Sequence, residues 1–311
     1  MNIFVAGHNG MVGSAILRLL QKDSSNNIFT ISRSLLDLKD LSRVQDYFHK
    51  NSIDIVYLAA AKVGGIKANN DFPVDFLYEN LSLQNSVITA AYQTGVKKLM
   101  FLGSSCIYPK YSEQPIHENS LLSGYLEETN EPYAIAKITG IKLCQAYNKQ
   151  LNTDFRCLMP TNLYGPNDNF DLATSHVLPA LIRKIHEAKL NGSESVEIWG
   201  SGQARREFLH VDDLAKASVY FMNMDKNDFF KNNYGYINIG TGEDIKIIDL
   251  AIEIAKVIKF DGSFVLNANM PDGTPRKLLD ITLANNLGWQ PSIGLKEGIN
   301  RTYSWYTESQ K

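Results

Sequence analysis

The chain has 311 residues, and its charge and composition already exclude several classes of protein. Hydrophobic residues make up 44% and charged residues 21%, with 14 Phe, 15 Tyr and 3 Trp, which is unlike an intrinsically disordered chain. With 31 basic and 33 acidic residues, there is no basic excess of the kind that a general nucleic-acid or anionic-membrane binder carries. We therefore expect a soluble globular protein of about two domains.

The cysteines and histidines argue against a disulfide framework and against a metal site. Cys106, Cys144 and Cys157 are odd in number and form no CxxC pair, and the six histidines show no metal-ligand spacing. The N-terminus has the pattern of a strand, and no window approaches the roughly 18 apolar residues of a membrane span. We expect no metal, no membrane span and a cytoplasmic location.

In chain order, the first half alternates short apolar runs with helical patterns. The runs are bounded by turn residues and are apolar on both faces, as buried parallel strands are. This alternation predicts an α/β fold with a Rossmann-type doubly wound parallel sheet. The predicted strands are Asn2–Ala6, Ile28–Ser32, Asp54–Ala59, Lys98–Gly103 and Phe155–Met159, and the predicted helices are Val12–Gln21, Asp40–Asn51, Val74–Thr94 and Pro132–Leu151.

After Pro160 the regular alternation ends. Thr161–Asp171 is predicted to be a long irregular loop, and a later strand at Tyr236–Ile239 would complete the sheet. We therefore predict a Rossmann domain over 1–165, completed by about 209–240, and a smaller mixed α/β lobe built mainly from 166–208 and 241–311. The other predicted elements are the helices Ser175–Lys189, Asp213–Met224, Ile245–Lys259 and Leu295–Thr307, and the strand Ser195–Trp199.

A glycine-rich turn lies between the first predicted strand and the first predicted helix. Gly7 would make the tight turn, Gly10 would let the backbone approach a pyrophosphate, and Gly13 would let the helix pack closely on the strand. The free N–H groups and the positive end of the helix then face the phosphates. The pattern predicts a dinucleotide site formed by Gly7, His8, Asn9, Gly10, Met11, Val12 and Gly13.

Arg33 follows the second predicted strand, where an NAD-binding unit usually has an acidic residue for the ribose 2′-hydroxyl. A carboxylate would repel a 2′-phosphate, whereas a guanidinium pairs with it. We therefore expect NADP(H) rather than NAD(H), the alternative being that Arg33 is only a solvated surface side chain. Asp37 is expected to border the adenine.

Tyr133 and Lys137 stand four residues apart in a predicted helix and so share a face. The lysine ammonium is expected to favour the phenolate and to lower the pKa of the phenol from its ordinary value of about 10. Ser104 follows the predicted strand Lys98–Gly103 and would emerge at the carboxyl edge of the sheet, where ligands bind. Together they predict a site that exchanges a proton with a substrate oxygen while hydride moves to or from carbon.

Five strings of the chain extend this pattern and resemble the extended short-chain dehydrogenase/reductase family. The resemblance covers essentially the whole chain, and the Gly-Ser-Ser-Cys string is its most specific part, because related dehydratases and 4-epimerases carry other residues after the serine. The strings are Val5–His8, Leu58–Ile66, Gly103–Pro109, Asn130–Lys137 and Met159–Pro166.

The resemblance implies an activity and a set of site residues. Similar family members epimerise C3 and C5 and reduce C4 of GDP-4-keto-6-deoxy-D-mannose with NADPH, and their smaller lobe binds the substrate. Ser104, Tyr133 and Lys137 match the reductase residues, while Cys106 and His176 match the pair that moves protons. Lys184, Trp199, Arg206, Asp272 and Lys277 match residues of the sugar-nucleotide site. The matches to cofactor contacts are Gly7–Gly13, Arg33, Asp37, Leu38, Leu102, Gly103, Ser104, Ser105, Lys137, Pro160, Thr161, Asn162, Leu163 and His176.

Inversion of a sugar carbon needs a base on one face and an acid on the other. A 4-ketone acidifies the hydrogens on C3 and C5, so both centres can invert through enolates. A thiol is only slightly ionised at pH 7, so Cys106 needs a nearby positive charge, for which Lys137 is the candidate. A helix start at His176 would disfavour its imidazolium, and the acid and base roles of the two residues stay open.

Two alternatives share these motifs. A reductase or epimerase acting on another GDP-4-keto sugar, such as a GDP-heptose derivative, could retain both Cys106 and His176. A catalytically idle NADP-sensing regulator belongs to another class, but it would have no use for the proton donor that Ser104, Tyr133 and Lys137 form.

The partners implied are a GDP-4-keto-6-deoxy sugar and a second copy of the chain, with no nucleic acid and no membrane. Similar family members pair the helices that correspond to Val74–Thr94 and Pro132–Leu151 in a dimer interface. These helices carry more apolar side chains than one sheet face requires, namely Phe76, Leu77, Leu81, Leu143 and Tyr147.

Overall fold

The structure is a computed structural model that describes residues 1–269 and 273–310. Its centre is a parallel sheet of six strands. Other strands form two smaller sheets. All the strands of the described residues, in chain order, are β1 (Asn2–Ala6), β2 (Asn27–Phe29), β3 (Ile55–Leu58), β4 (Lys98–Leu102), β5 (Phe155–Pro160), β6 (Asn162–Tyr164), β7 (Ser195–Trp199), β8 (Arg205–His210), β9 (Tyr236–Ile239), β10 (Asp244–Lys246), β11 (Ser263–Asn267) and β12 (Arg276–Lys277).

Helices cover the sheet and build the smaller lobe. The α-helices are α1 (Met11–Leu20), α2 (Leu41–Lys50), α3 (Ile66–Asp71), α4 (Pro73–Gln93), α5 (Glu131–Leu151), α6 (Val177–Leu190), α7 (Val211–Asn223), α8 (Lys226–Phe230), α9 (Ile247–Ile258), α10 (Thr282–Asn286) and α11 (Leu295–Ser309). Short 3₁₀ turns at Ser105–Ile107, Glu118–Ser120 and Glu128–Asn130 lie between β4 and α5. Within the described residues, no helix is both long and apolar enough to cross a membrane.

The central sheet has the order β2-β1-β3-β4-β5-β9, which is that of a doubly wound fold. Alternate residues of β1 point to opposite faces: Phe4 and Ala6 join a core with α2, α4 and α5, whereas Ile3 and Val5 join a core with α1 and α7. Both faces are therefore buried, as the unbroken apolar runs of the sequence predict. The α/β fold class is confirmed.

The smaller lobe has a core of its own, formed by α6, α9 and α11. It includes the parallel pair β7–β11 and a second small sheet in which β8 pairs with β6, β10 and β12. Since β6 directly follows β5, and β8 leads into α7, these strands connect the small sheet to the edge of the central one. The domain boundaries at 165, 209 and 240 remain a prediction.

Most predicted elements form, with two clear exceptions. The second strand is Asn27–Phe29 rather than Ile28–Ser32, because this edge strand pairs only with β1 and the pairing ends at Phe29. The segment predicted as an irregular loop from Thr161 contains β6, which forms because it pairs with β8. The prediction that Tyr236–Ile239 completes the sheet is confirmed by its parallel pairing with β5.

Candidate functional site

The glycine turn has the geometry that a phosphate-binding turn requires. Gly7 has φ +82°, and a Cβ on it would press against the backbone of Ala60, while a Cβ on Gly13 would collide with the Gly7 carbonyl. Helix α1 follows with Gly10 at its N-cap, where no side chain occupies the first N–H groups. The Nδ1 atom of His8 is buried without a hydrogen-bond partner. These residues fit a dinucleotide, whose phosphates would meet α1 at its positive end.

The other predicted cofactor contacts lie along the carboxyl edge of the sheet. Thr161 and Asn162 both donate to the backbone carbonyl oxygen of Glu207, at 3.3 and 2.8 Å, and so tie the end of β5 to β8. Leu38 packs against the core under α2, while Met11, Val12 and Leu163 pack against the core under α1. The backbone stretch Leu102, Gly103 and Ser105 is buried, and Pro160 ends β5.

Arg33 lies on the surface beyond β2. Its guanidinium forms an ion pair of 3.2 Å with Glu79, and it is 73% exposed. Lys62 also binds Glu79 and holds the pKa of that carboxyl below its usual range, with Arg33 contributing. Arg33 is thus accessible to a phosphate. Asp37 accepts from the backbone N–H of Lys39 in a turn of its own.

Ser104, Tyr133 and Lys137 converge at the end of β4. The Ser104 side chain accepts from the backbone N–H of Cys106 at 3.2 Å and lies beside the Tyr133 phenol. Lys137 Nζ lies 5.8 Å from the centre of the Tyr133 ring and donates to the Leu102 carbonyl oxygen at 2.8 Å. The structure therefore brings the three predicted residues together.

The expected lowering of the Tyr133 pKa by Lys137 is wrong for this structure. Burial raises the pKa of the Tyr133 phenol, the adjacent Cys106 adds to the rise, and the hydrogen bond with Ser104 offsets only part of it. Burial also lowers the pKa of Lys137 to about 8. Desolvation prevails because Lys137 is buried, Tyr133 is partly buried and the Lys137 ammonium points to a carbonyl oxygen. The phenol is protonated at neutral pH.

The lysine that contacts Cys106 is not the one that the sequence predicts. Lys277 Nζ donates to Cys106 Sγ at 3.6 Å, and Asn130 Nδ2 donates to the same atom at 3.6 Å. Lys137, the expected partner, is bound to the Leu102 carbonyl oxygen. The contact from Asn130 was missed, since an asparagine just before a helix suggests only a helix cap.

His176 immediately precedes α6, and Lys277 lies near it as well. Although part of the imidazole reaches solvent, the surrounding protein atoms lower its pKa, and the Lys277 ammonium lowers it further. The lowered pKa of His176 agrees with the prediction, but its causes are desolvation and the Lys277 charge rather than the start of a helix. The preceding segment is fixed by a hydrogen bond of 2.9 Å from Gly65 N to the Thr174 carbonyl oxygen. At pH 7 His176 is a neutral imidazole.

The register of β8 and β12 brings two predicted substrate contacts together. Arg206 pairs with Lys277, and Arg205 pairs with Arg276. Because side chains alternate along a strand, each pair shares one face of the small sheet. The Asp244 carboxylate binds Arg205 at 2.6 Å and also binds Arg276. Arg206 and Lys277 therefore occupy the face on which Lys277 reaches Cys106.

Lys184 and Trp199 form a separate pair. Lys184 Nζ lies 5.3 Å from the centre of the Trp199 ring and donates to the Glu197 carbonyl oxygen at 3.3 Å. Burial lowers the pKa of Lys184. The indole is 43% exposed, which leaves it free to stack on a planar ligand. Asp272, also predicted to contact the substrate, lies outside the described residues.

Comparisons with known proteins agree with this geometry. Residues 3–240 match the NAD dependent epimerase/dehydratase family. The chain is 52% identical over 311 residues to GDP-L-fucose synthase of Escherichia coli (strain K12), covering 99% of this chain and 97% of that protein. It is similar to the structure of a GDP-6-OMe-4-keto-L-xylo-heptose reductase from C. jejuni, with TM-score 0.94, 38% identity, and 100% and 98% of the two chains covered. A GDP-L-fucose synthetase from Naegleria fowleri bound to NADP gives TM-score 0.88 and 29% identity, covering 99% and 94%.

Proposed function

The chain belongs to the NAD dependent epimerase/dehydratase family, and we propose that it converts GDP-4-keto-6-deoxy-D-mannose to GDP-L-fucose by epimerisation at C3 and C5 and reduction at C4 with NADPH. Membership also confirms the resemblance to the extended short-chain dehydrogenases/reductases. The observation that carries the proposal is the 52% identity to the Escherichia coli GDP-L-fucose synthase over nearly the full length of both chains. The chemistry of the site supports it.

NADP(H) is the proposed cofactor, held by the glycine turn Gly7–Gly13, by Arg33 and by the carboxyl edge of the sheet. When bound, NADPH supplies the hydride for the reduction. Arg33 would pair with the 2′-phosphate. To do so, its guanidinium must leave its ion pair with Glu79. The solved structure from Naegleria fowleri bound to NADP supports this cofactor.

In the reduction, Tyr133 is the proposed proton donor to the C4 oxygen. Its phenol is protonated at neutral pH because burial raises its pKa, so it can give a proton without first acquiring one. Ser104 lies within hydrogen-bond reach of the phenol and orients the same oxygen. Lys137, with a pKa of about 8, would stabilise the phenolate that forms.

In the epimerisation, Cys106 and His176 are the proposed proton carriers. The Cys106 sulfur faces two N–H donors, which suits a base that must be an anion before the reaction. His176 is neutral in the free protein, so it must gain a proton before it can act as the acid. Lys184 and Trp199 are proposed to hold the nucleotide, with Asp272 as a further contact.

A second substrate class is favoured by one observation, the similarity to the C. jejuni heptose reductase at TM-score 0.94. That protein is 38% identical to this chain, against 52% for the Escherichia coli GDP-L-fucose synthase, so the deoxyhexose is the first choice. An NADP-sensing regulator would leave the assembled Ser104, Tyr133 and Lys137 without a use.

The test is incubation with GDP-4-keto-6-deoxy-D-mannose and NADPH, followed by the stereochemistry of the product. GDP-L-fucose is the expected product, and a product inverted at neither C3 nor C5 contradicts the epimerase assignment. Incubation of enzyme and substrate with NADP⁺ in D2O isolates the epimerisation. Deuterium is expected at both carbons, and NADPH oxidation by a protein that incorporates none identifies a plain 4-reductase.

We also propose a homodimer that forms through α4 and α5, and a cytoplasmic location. Of the five side chains expected at the interface, Phe76 is buried against Tyr133, and Leu143 and Tyr147 pack against the core. Leu77 and Leu81 are half-buried and remain candidates. Val74 and Tyr78 are further apolar residues that α4 exposes, at 73% and 65%. Light scattering that shows a monomer at micromolar concentration contradicts the dimer.

A further inference from the structure

Two hydrogen-bond donors from distant parts of the chain point at the sulfur of Cys106. Asn130 stands in a 3₁₀ turn just before α5, and Lys277 is the last residue of β12. Each places a nitrogen 3.6 Å from Sγ, although they are 24 and 171 residues away along the chain. The two contacts therefore depend on the tertiary fold rather than on local structure.

The chemistry of these donors fits a sulfur that carries a negative charge. A thiol has a weak S–H donor and a weak acceptor, whereas a thiolate accepts hydrogen bonds from several sides. The two atoms that contact the sulfur, Asn130 Nδ2 and Lys277 Nζ, are both donors, so neither can accept an S–H proton. The pair thus favours the thiolate.

Asn130 is diverted from the role that its position offers. An asparagine at the N-cap of a helix normally accepts from a backbone N–H of the first turn. At the N-cap of α5, the side chain of Asn130 makes no such hydrogen bond, and its Oδ1 is buried without a partner. The side chain forgoes the helix cap and directs its amide nitrogen at Cys106.

We propose that Asn130 and Lys277 are positioning residues that hold Cys106 as a thiolate, ready to remove a proton from the sugar. This rests on the proposed function, in which Cys106 is the base. In the step, the C–H bond at C3 or C5 breaks and an S–H bond forms at Cys106, while the electron pair moves to the 4-keto oxygen as an enolate. A proton delivered to the opposite face then restores the ketone, so no oxidant or reductant is consumed.

Other titratable groups near the thiol are accounted for by their own partners. Lys110 and Glu127 line the small cavity beside Cys106 and face each other at 3.8 Å, and Arg276 of the same cavity binds Asp244. Tyr108 of the same cavity donates to Asn238 Oδ1 at 2.6 Å. Among the residues that the structure describes, the Tyr133 phenol, on the side of α5, also interacts with Cys106, and the His176 imidazole, before α6, interacts with Lys277.

The pH dependence of alkylation by iodoacetamide tests the proposal without substrate or cofactor, because the thiolate is the reactive form. Cys144 and Cys157 are fully buried, so the modification measured by mass spectrometry reports Cys106. Lys277→Met should move the midpoint of the profile up by about one pH unit or more, and thus slow the reaction about tenfold near pH 7. Asn130→Ala should move it up by about half a unit.

Matched variants separate charge from packing. Lys277→Arg keeps a positive charge and should retain most of the wild-type reactivity, whereas Lys277→Gln should behave like Lys277→Met. Lys110→Met removes a nearby charge that does not contact the sulfur and should leave the midpoint in place. Thermal melting of each variant confirms that the protein compared is folded.

The outcomes distinguish this inference from the proposed function. Midpoints for Lys277→Met and Lys277→Gln that equal the wild-type midpoint overturn the role of Lys277, and an unchanged midpoint for Asn130→Ala overturns that of Asn130. If the midpoints move as expected but the wild type incorporates no deuterium at C3 or C5, Asn130 and Lys277 do stabilise the thiolate. Cys106 is then not an epimerase base, and the proposed function fails instead.

Discussion

The reductase trio and the Cys106 cluster are neighbours, but the chain assembles them in different ways. Ser104, Tyr133 and Lys137 come from the end of β4 and the start of α5, and burial dominates the pKa values of Tyr133 and Lys137. Cys106 instead relies on Lys277, which arrives from the smaller lobe. Desolvation can therefore keep an acid protonated while, a few ångströms away, a fixed cation favours an anion.

Cys106→Ser tests the separation most strongly, because it replaces a thiol by a hydroxyl of similar volume that is far harder to ionise. Deuterium incorporation at C3 and C5 in D2O with NADP⁺ should become undetectable, while NADPH still binds. The control is NADPH binding by fluorescence, which should match that of the wild type. Incorporation at the wild-type rate shows that Cys106 is not the base.

Tyr133→Phe is the reciprocal change. The ring and its edge contact with Phe76 remain, but the proton donor is lost. The reductive turnover should fall by about a hundredfold to ten-thousandfold, since that is what a positioned proton donor contributes. Deuterium exchange at C3 and C5 should continue. If deuterium exchange is lost together with the reductive turnover, the two clusters do not act separately. Near-normal reductive turnover contradicts the assignment of Tyr133 as the acid.

Arg33→Ala addresses the cofactor rather than the proton chemistry. A charge-assisted pair with the 2′-phosphate is worth about 1.5–3 kcal/mol, so the KM for NADPH should rise about tenfold to a hundredfold. The KM for NADH is the internal control and should change little. Equal losses for both cofactors show that Arg33, which is 73% exposed, does not bind the 2′-phosphate.

The sequence predicts the parts of the site that depend on local pattern. The glycine turn lies between a strand and a helix, and Tyr133 and Lys137 share a helix face, so their placement follows from spacing. The direction of the Tyr133 pKa does not follow, because burial in the folded protein outweighs the effect of the lysine. Spacing also cannot place Lys277, which reaches Cys106 only through the pairing of β12 with β8.

The smallest expected effect concerns His176, whose pKa lies below its ordinary value because of desolvation by the surrounding protein atoms and because of the Lys277 charge. Removing the like charge by Lys277→Met should raise the titration midpoint of the imidazole. The imidazole proton resonances in NMR spectra give the midpoint directly. His186 is the matched control, since burial also lowers its pKa and Lys277 does not contribute to it. A His176 midpoint that stays in place while the alkylation midpoint of Cys106 moves would show that Lys277 acts on the thiol alone. The proton carriers on the two sides of the sugar would then be tuned independently.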